Sequence, residues 1–587
     1  MKKFLLGLLA GFVLAGMACV IFLFAMIRLG DRRPAIASDG ILVLGLQGDV
    51  PEIAPMEIPL PFFESQAPVT LVEVWDLLRR AEKDSRVRAL VLEPRFLSLG
   101  WGKLQEIRDG IQRFKRSGKP VYAFLRTPGL REYYLATAAE KIFVTPEDIV
   151  DVKGLRAVLT FYRRTLDKIG VEAEVEHAGK YKDAADSYTR TSMSPETREV
   201  MNSILDSLYG HVVEVIASSR KLKVEQVRAA IDEGPFLAPR AKQAGLIDDL
   251  RYDSQVYDDL KGRLKLKDIR KISHRDFARA VSPTLGGESR QRVALILGEG
   301  TIVRWASNDP FAEEEGIQSG PFVRTLRQVA DDNSIKGAIL RINSPGGDAI
   351  ASDEILHEVR ALSKRKPLVI SMSDLAASGG YYISMSGDPV LSYPNTFTGS
   401  IGVIFGKVNA KGLYEKLGID VDVLKRGRYA DIDGAYKPMD EAGRRKLRDG
   451  VQKTYESFLA RVSEGRKRPK DEIEPLAQGR VWLGSQAKAN GLVDDLGGMD
   501  LALDTLRTRA KFRPDEQLRI EVFPRRRSLI DELLGSREQS AVQSAIQSGV
   551  RKQIQRWAVD LGLEGFDLRL WQRGGIFALP PYSIRVD

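Results

Sequence analysis

Ser378 is the residue whose surroundings best suit covalent chemistry. The run Ser373-Asp374-Leu375-Ala376-Ala377-Ser378-Gly379-Gly380-Tyr381-Tyr382 sets it among small residues just after the apolar stretch Leu368 to Met372. A serine at a strand-to-helix turn presents its hydroxyl to a substrate and can serve as a nucleophile. The spacing is not the GxSxG elbow, and a serine beside glycines is more commonly a turn or a cap. Upstream, Asn343-Ser344-Pro345-Gly346-Gly347-Asp348 joins an apolar run, Gly337 to Ile342, to residues Ile350, Ile355, Leu356, Val359 and Leu362 at helical spacing. Backbone N–H groups of Gly346 and Gly347 at a helix start can stabilise an oxyanion. The same residues read equally well as a tight turn with Asp348 as helix cap.

These segments must be held by the elements around them. Apolar strand-like runs alternate with amphipathic helical stretches throughout, an α/β pattern. Other chemistries have little material. The four histidines, His177, His211, His274 and His357, show no paired spacing and no HExxH, so neither a metal site nor a Ser-His-Asp triad is indicated. The only cysteine, Cys19, leaves no intramolecular disulfide, no cysteine zinc cluster and no cysteine nucleophile in the soluble part. No cofactor and no metal are expected.

The chain repeats itself. Val87-Arg88-Ala89-Leu90-Val91-Leu92 aligns with Ile335-Lys336-Gly337-Ala338-Ile339-Leu340, a shift of 248 positions that also carries Tyr133-Tyr134 onto Tyr381-Tyr382, Gly170 onto Gly418 and Tyr181 onto Tyr429. At a shift of 246, Ala241 to Leu250 aligns with Ala487 to Leu496. Register held over such distances marks a tandem duplication.

The Ser-Pro-Gly-Gly-Asp segment, the Ala-Ala-Ser-Gly-Gly-Tyr-Tyr segment and Thr398-Gly399-Ser400-Ile401-Gly402-Val403 together resemble the signal peptide peptidase A family of serine proteases, and the tandem halves resemble its long bacterial form. The resemblance covers about Asp39 to Leu506. It implies an α/β fold of the ClpP/crotonase superfamily in two tandem domains, with Ser378 as nucleophile. It implies a lysine base within a Gly-x-Tyr-Lys segment, here Gly179-Lys180-Tyr181-Lys182-Asp183, which makes Lys182 the base and Lys180 its nearest rival. Ser400 is implied to orient the lysine, and the backbone at Gly346 and Gly347 to form part of the oxyanion hole. The implied substrates are cleaved signal peptides, and the implied partners are the lipid bilayer and a homo-oligomer such as a tetramer.

The repeat tests this assignment. Lys182 falls on Ala430, Ser378 on Leu130, Ser400 on Val152, and Gly346-Gly347 on Ser98-Leu99. Each half holds what the other lacks, which favours one composite site. A lysine base must be neutral, so Lys182 is expected to be buried where its pKa is depressed.

Phe4 to Ile27 is a run of 24 residues without a charge, long enough as a helix to cross about 30 Å of hydrocarbon and longer than the apolar core of a cleaved signal. Residues 4–28 are therefore read as a transmembrane signal anchor after a short segment 1–3. Lys2 and Lys3 face Arg28, Arg32 and Arg33 across it, so charge does not orient it. The family implies the bacterial inner membrane, a single pass and catalytic domains on the periplasmic side. The first peptidase-like repeat is assigned to residues 39–272, a linker to 273–292, the second repeat to 293–524 and a basic tail to 525–587. The excess of 89 Lys+Arg over 79 Asp+Glu is scattered and comes with no nucleic-acid motif, so no nucleic-acid partner is expected. Two rival functions share the pattern: a crotonase-like acyl-CoA enzyme, which needs neither Ser378 nor Lys182, and a non-enzymatic membrane scaffold.

Overall fold

A computed structural model describes residues 38–54, 68–280, 291–304, 316–513, 516–524 and 575–578, with positions 11, 17, 36 and 289 in isolation. The anchor 4–28, apart from positions 11 and 17, and most of the tail 525–587 lie outside the described residues. Among the described residues no helix is long and apolar enough to cross a membrane.

The first half contributes β1 (Gly40–Leu44), β2 (Val87–Leu92), β3 (Val121–Leu125), β4 (Lys141–Val144), β5 (Glu172–Ala178), β6 (Asp249–Leu250) and β7 (Arg270–Ser273). All but β5 form one sheet, in the order β6-β4-β3-β2-β1-β7, with every pairing parallel. Strands such as Val87-Arg88-Ala89-Leu90-Val91-Leu92 are nearly continuous apolar runs, as expected where helices cover both faces of a parallel sheet.

The second half contributes β8 (Arg292–Glu299), β9 (Ile335–Ser344), β10 (Leu368–Ala377), β11 (Val390–Ser392), β12 (Phe397–Gly399), β13 (Val403–Asn409), β14 (Val481–Leu483), β15 (Asp495–Leu496) and β16 (Arg519–Phe523). Here β15-β11-β10-β9-β8-β16 repeats the first sheet's order. The far end of β10 turns aside to pair with β12, which in turn pairs with β14.

The helices repeat too. Those that bear on the site are α1 (Trp101–Arg116), α2 (Pro195–Arg220), α3 (Ala349–Arg365), the single turn α4 (Gly379–Tyr382) and α5 (Glu441–Arg466). Both α2 and α5 have 26 residues, and both stop at a left-handed lysine, Lys221 or Lys467. Ser194 caps α2 by accepting from the Thr197 N–H, and Asp440 caps α5 in the same way from Gly443. The duplication extends to buried hydrogen bonds. Tyr133 Oη donates to Leu246 O at 2.7 Å and Tyr381 Oη to Leu492 O at 2.8 Å. Asp248 and Asp494 each accept an N–H near the start of the strand beside them, from Ile142 and Val390, both at 2.7 Å.

What departs from two separate copies is β5. It leaves its own sheet and pairs antiparallel with β13 of the second half over seven residues, from Ala178 opposite Val403 to Glu172 opposite Asn409. Its inward carboxylates are neutralised there. Glu174 meets the buried Lys407 at 3.3 Å, and Glu176 meets Arg444 and Arg448 at 3.0 Å each.

Candidate active site

Ser378 follows β10 directly, with φ 53° and ψ −114°, backbone angles that few non-glycine residues adopt. Such a turn swings the side chain out of the strand, and strain of this kind is characteristic of functional positions. The two glycines that follow are required by crowding. A Cβ on Gly379 would lie 2.7 Å from Ser352 Oγ and 3.0 Å from Gly346 Cα, and one on Gly380 would lie 2.6 Å from Ser344 O. Ser378 N–H donates to Gly399 O at 2.8 Å, which fixes the elbow against β12.

Ser400 bridges β12 and β13, also at positive φ, and its N–H donates to Arg480 O at 2.7 Å. Lys182 arrives on β5. The chain turns after Ala178, and Lys182 N–H donates to Gly179 O at 3.1 Å while Tyr181 N–H donates to Gln478 O at 2.8 Å. Residue 479 must be glycine for this docking, because a Cβ there would sit 2.6 Å from the Lys182 backbone nitrogen. The β5–β13 pairing therefore delivers the first half's lysine to the second half's two serines.

Lys182 Nζ lies 2.8 Å from Ser378 Oγ, 2.9 Å from Ser400 Oγ and 3.0 Å from Ser400 O. All three side chains are buried. Three partners suit a neutral amine, which has one lone pair to accept from the Ser378 hydroxyl and two N–H groups for the Ser400 oxygens. Burial holds the Lys182 pKa well below the ordinary lysine value, opposed among the described residues only by the charge of Asp183. The expected rival, Lys180, does not enter the cluster: its ammonium lies over the Tyr181 ring at 4.6 Å.

The Gly346-Gly347 loop lies against the elbow: Gly347 N is 3.1 Å from the position of a Gly379 Cβ. Both glycines have positive φ, 97° and 153°, and a Cβ on Gly347 would fall 2.0 Å from Ile302 O. The cap reading also holds, since Asp348 accepts from Ala351 N–H at 2.8 Å at the start of α3. Gly346 N–H is engaged in the resting molecule, donating to Ser344 Oγ at 3.1 Å.

Sequence reasoning missed the clamp behind the elbow. Arg341, fully buried on β9, donates to Ser371 Oγ at 2.9 Å, Ser373 Oγ at 3.1 Å and Glu52 Oε1 at 3.1 Å, and also pairs with Glu106 of α1. Asp374, four residues before Ser378, accepts the N–H groups of Gly100 at 3.0 Å and Lys103 at 2.7 Å, and so caps a first-half helix from the second half. Nothing in the local pattern announces this, because the two carboxylates that meet Arg341 and the two N–H groups that Asp374 accepts lie more than 200 positions away.

An α/β scaffold that holds a serine on a strained turn with a buried lysine against its hydroxyl has the form of a serine hydrolase. The model for Peptidase family S49 matches this chain twice, over residues 113–267 and 360–513. The chain belongs to that family of serine peptidases. It is 33% identical over 468 residues to "Serine protease SPPA, chloroplastic" of Arabidopsis thaliana, covering 79% of this chain and 69% of that protein. It is 29% identical over 581 residues to "Protease 4" of Haemophilus influenzae, covering 94% of this chain and 92% of that one. A further relative from Enterococcus faecium, named "Putative signal peptide peptidase SppA", is 34% identical over 227 residues, 38% of this chain and 65% of its own length. Family membership sets aside the acyl-CoA and scaffold readings.

Proposed function

We propose that the chain is a membrane-anchored endopeptidase that cleaves peptide bonds with a Ser378–Lys182 dyad on a ClpP/crotonase-like fold, and that its substrates are signal peptides left in the membrane. The observation that carries this reading is the 2.8 Å approach of Lys182 Nζ to Ser378 Oγ across the two halves. Neutral Lys182 takes the hydroxyl proton as Ser378 Oγ attacks the scissile carbonyl carbon. The ammonium so formed, held by Ser400, gives that proton to the departing amine, leaving an acyl-enzyme. Water then attacks the ester, its proton passing to Lys182 and back to Ser378 as the acid is released. The carbonyl oxygen, negative in each tetrahedral intermediate, faces the Gly346-Gly347 loop. The substrate class is supported by the name of the Enterococcus faecium relative. The uncharged run from Phe4 to Ile27 supports a single-pass anchor in the bacterial inner membrane, with the catalytic domains on the periplasmic side.

The test is the pH dependence of serine labelling. Only neutral Lys182 accepts a proton, so the rate of reaction with a fluorophosphonate rises with pH through the depressed lysine pKa and then levels. A rate that is flat from mildly acidic to alkaline pH in folded protein removes lysine as the base.

The reading includes a homo-oligomer. Moved by the repeat shift, the β5–β13 pairing predicts that residues 420–426 of one copy join residues 155–161 of the next. The first segment forms no strand and exposes Val421, Val423 and Leu424; the second carries only a lone bridge at Ala157 and leaves Val158 exposed. The shifted register sets Val158 opposite Val423. In a Cys19→Ser background, oxidation of a Val158→Cys, Val423→Cys chain is expected to give a ladder of disulfide-linked multimers on a denaturing gel. Monomer alone, or a disulfide closed within one chain, argues against the assembly.

A further inference from the structure

The turn that bears Lys182 bears a second buried ionisable group that the mechanism above does not use. Asp183 is 7% exposed. Its Oδ2 accepts from Thr197 Oγ1, while Oδ1 is buried with no hydrogen-bond partner. Thr197 belongs to the first turn of α2, where its N–H donates to Ser194 Oγ at 3.0 Å and its hydroxyl lies 2.7 Å from the same oxygen. One oxygen of the carboxyl is thus tied to a helix start, and the other has no polar partner. A buried carboxylate with a single hydrogen bond is poorly solvated.

The groups facing it come from three elements: Lys182 in the same turn, Asp186 in the short helix Asp186–Thr189, and Thr197 with Ser194 at the head of α2. Around Asp186 in turn stand Arg190, His177 and Glu196. Burial, reinforced by Asp186, pushes the Asp183 carboxyl up to about 7, against the hydrogen bond from Thr197, its own backbone N–H and the charge of Lys182. Lys182 touches only neutral oxygens, and among the described residues it has no ion-pair partner. Asp183 is the one charge that opposes the burial of its ammonium.

We propose that Asp183 is a positioning residue for the dyad, whose carboxyl, tethered by Thr197, sets the charge state of Lys182 through its field without touching Nζ. This rests on the Ser378–Lys182 reading. When Lys182 takes the Ser378 proton, an ammonium appears in a buried site, and the Asp183 carboxylate offsets part of its cost. Protonating Asp183 from solvent withdraws that support. The two groups titrate as a coupled pair.

The test compares pH profiles of fluorophosphonate labelling for the full-length chain. Asp183→Asn keeps an acceptor for Thr197 and removes the charge. Its acid limb is expected to move by about one pH unit to lower pH, because the ammonium has lost its only opposing charge, and its plateau rate is expected to fall about tenfold. Thr197→Val keeps the carboxyl but removes its donor, so the carboxylate forms less readily and the limb moves the same way by a smaller step. An Asp183→Asn limb that coincides with wild type overturns the proposal even if the plateau falls, since a merely structural carboxyl would lower the rate without moving the limb. If Asp183→Asn does not fold, an unmoved Thr197→Val limb overturns it equally. Labelling that survives Lys182→Met unchanged would instead sink the dyad reading itself.

Discussion

Replacing Ser378 by alanine, or Lys182 by methionine, is expected to lower the peptidase kcat by about 10⁴-fold or more, as loss of a nucleophile or its base does in serine peptidases. The two variants should fold. Ser378→Ala removes one oxygen from a turn whose backbone is fixed by the Gly399 bond, and Lys182→Met replaces a buried amine with an apolar chain of similar length. Combining them should cost little more than either alone, because each abolishes the same proton transfer. Initial rates on a peptide substrate, with circular dichroism as the check on folding, decide the matter. Activity within tenfold of wild type in pure Ser378→Ala protein removes the nucleophile assignment. Ser400→Ala should be milder, since Ser400 O remains 3.0 Å from Nζ when the hydroxyl is gone.

The second large effect is on stability. Arg341→Met leaves Glu52 and Glu106 buried without their shared cation, and breaking a buried ion pair from one side costs about 3–5 kcal/mol. The loss should appear as a lower urea midpoint for the first unfolding transition. Peptidase activity should fall with it, because Ser373 and Asp374, which the same cluster holds, precede the elbow on β10. Adding Glu52→Gln and Glu106→Gln to Arg341→Met should recover most of the stability by removing the uncompensated charges. A change below about 1 kcal/mol in Arg341→Met alone would mean that water reaches the carboxylates.

The sequence by itself determined more of the chemistry than of the assembly. Apolar runs bounded by glycines and helical spacing located β9, β10, α3 and the loop between them, because burial writes its period into the chain locally. The duplication exposed the division of labour: Ala430 stands where a second lysine would be and Leu130 where a second serine would be, a comparison that needs only two copies in one chain. The approach of Lys182 to Ser378 was decided by tertiary structure. The alternation in Glu172 to Ala178 suits a strand but would turn Ala173 and Val175 inward, whereas the strand buries Glu174, Glu176 and Ala178 because it joins β13 rather than its own sheet. Docking of the lysine turn on Gln478 and Gly479 likewise depends on backbone approach, which leaves no periodic signal. Arg341 reads in sequence as one cation in an apolar strand. Its two carboxylates come from segments 289 and 235 positions away, and only the closed interface between the halves shows that it is buried, paired and needed to hold the elbow. Local pattern records the inward side of an element where that side is apolar, whereas a buried polar side and the partner across a long loop are chosen by the shape and charge of the folded whole.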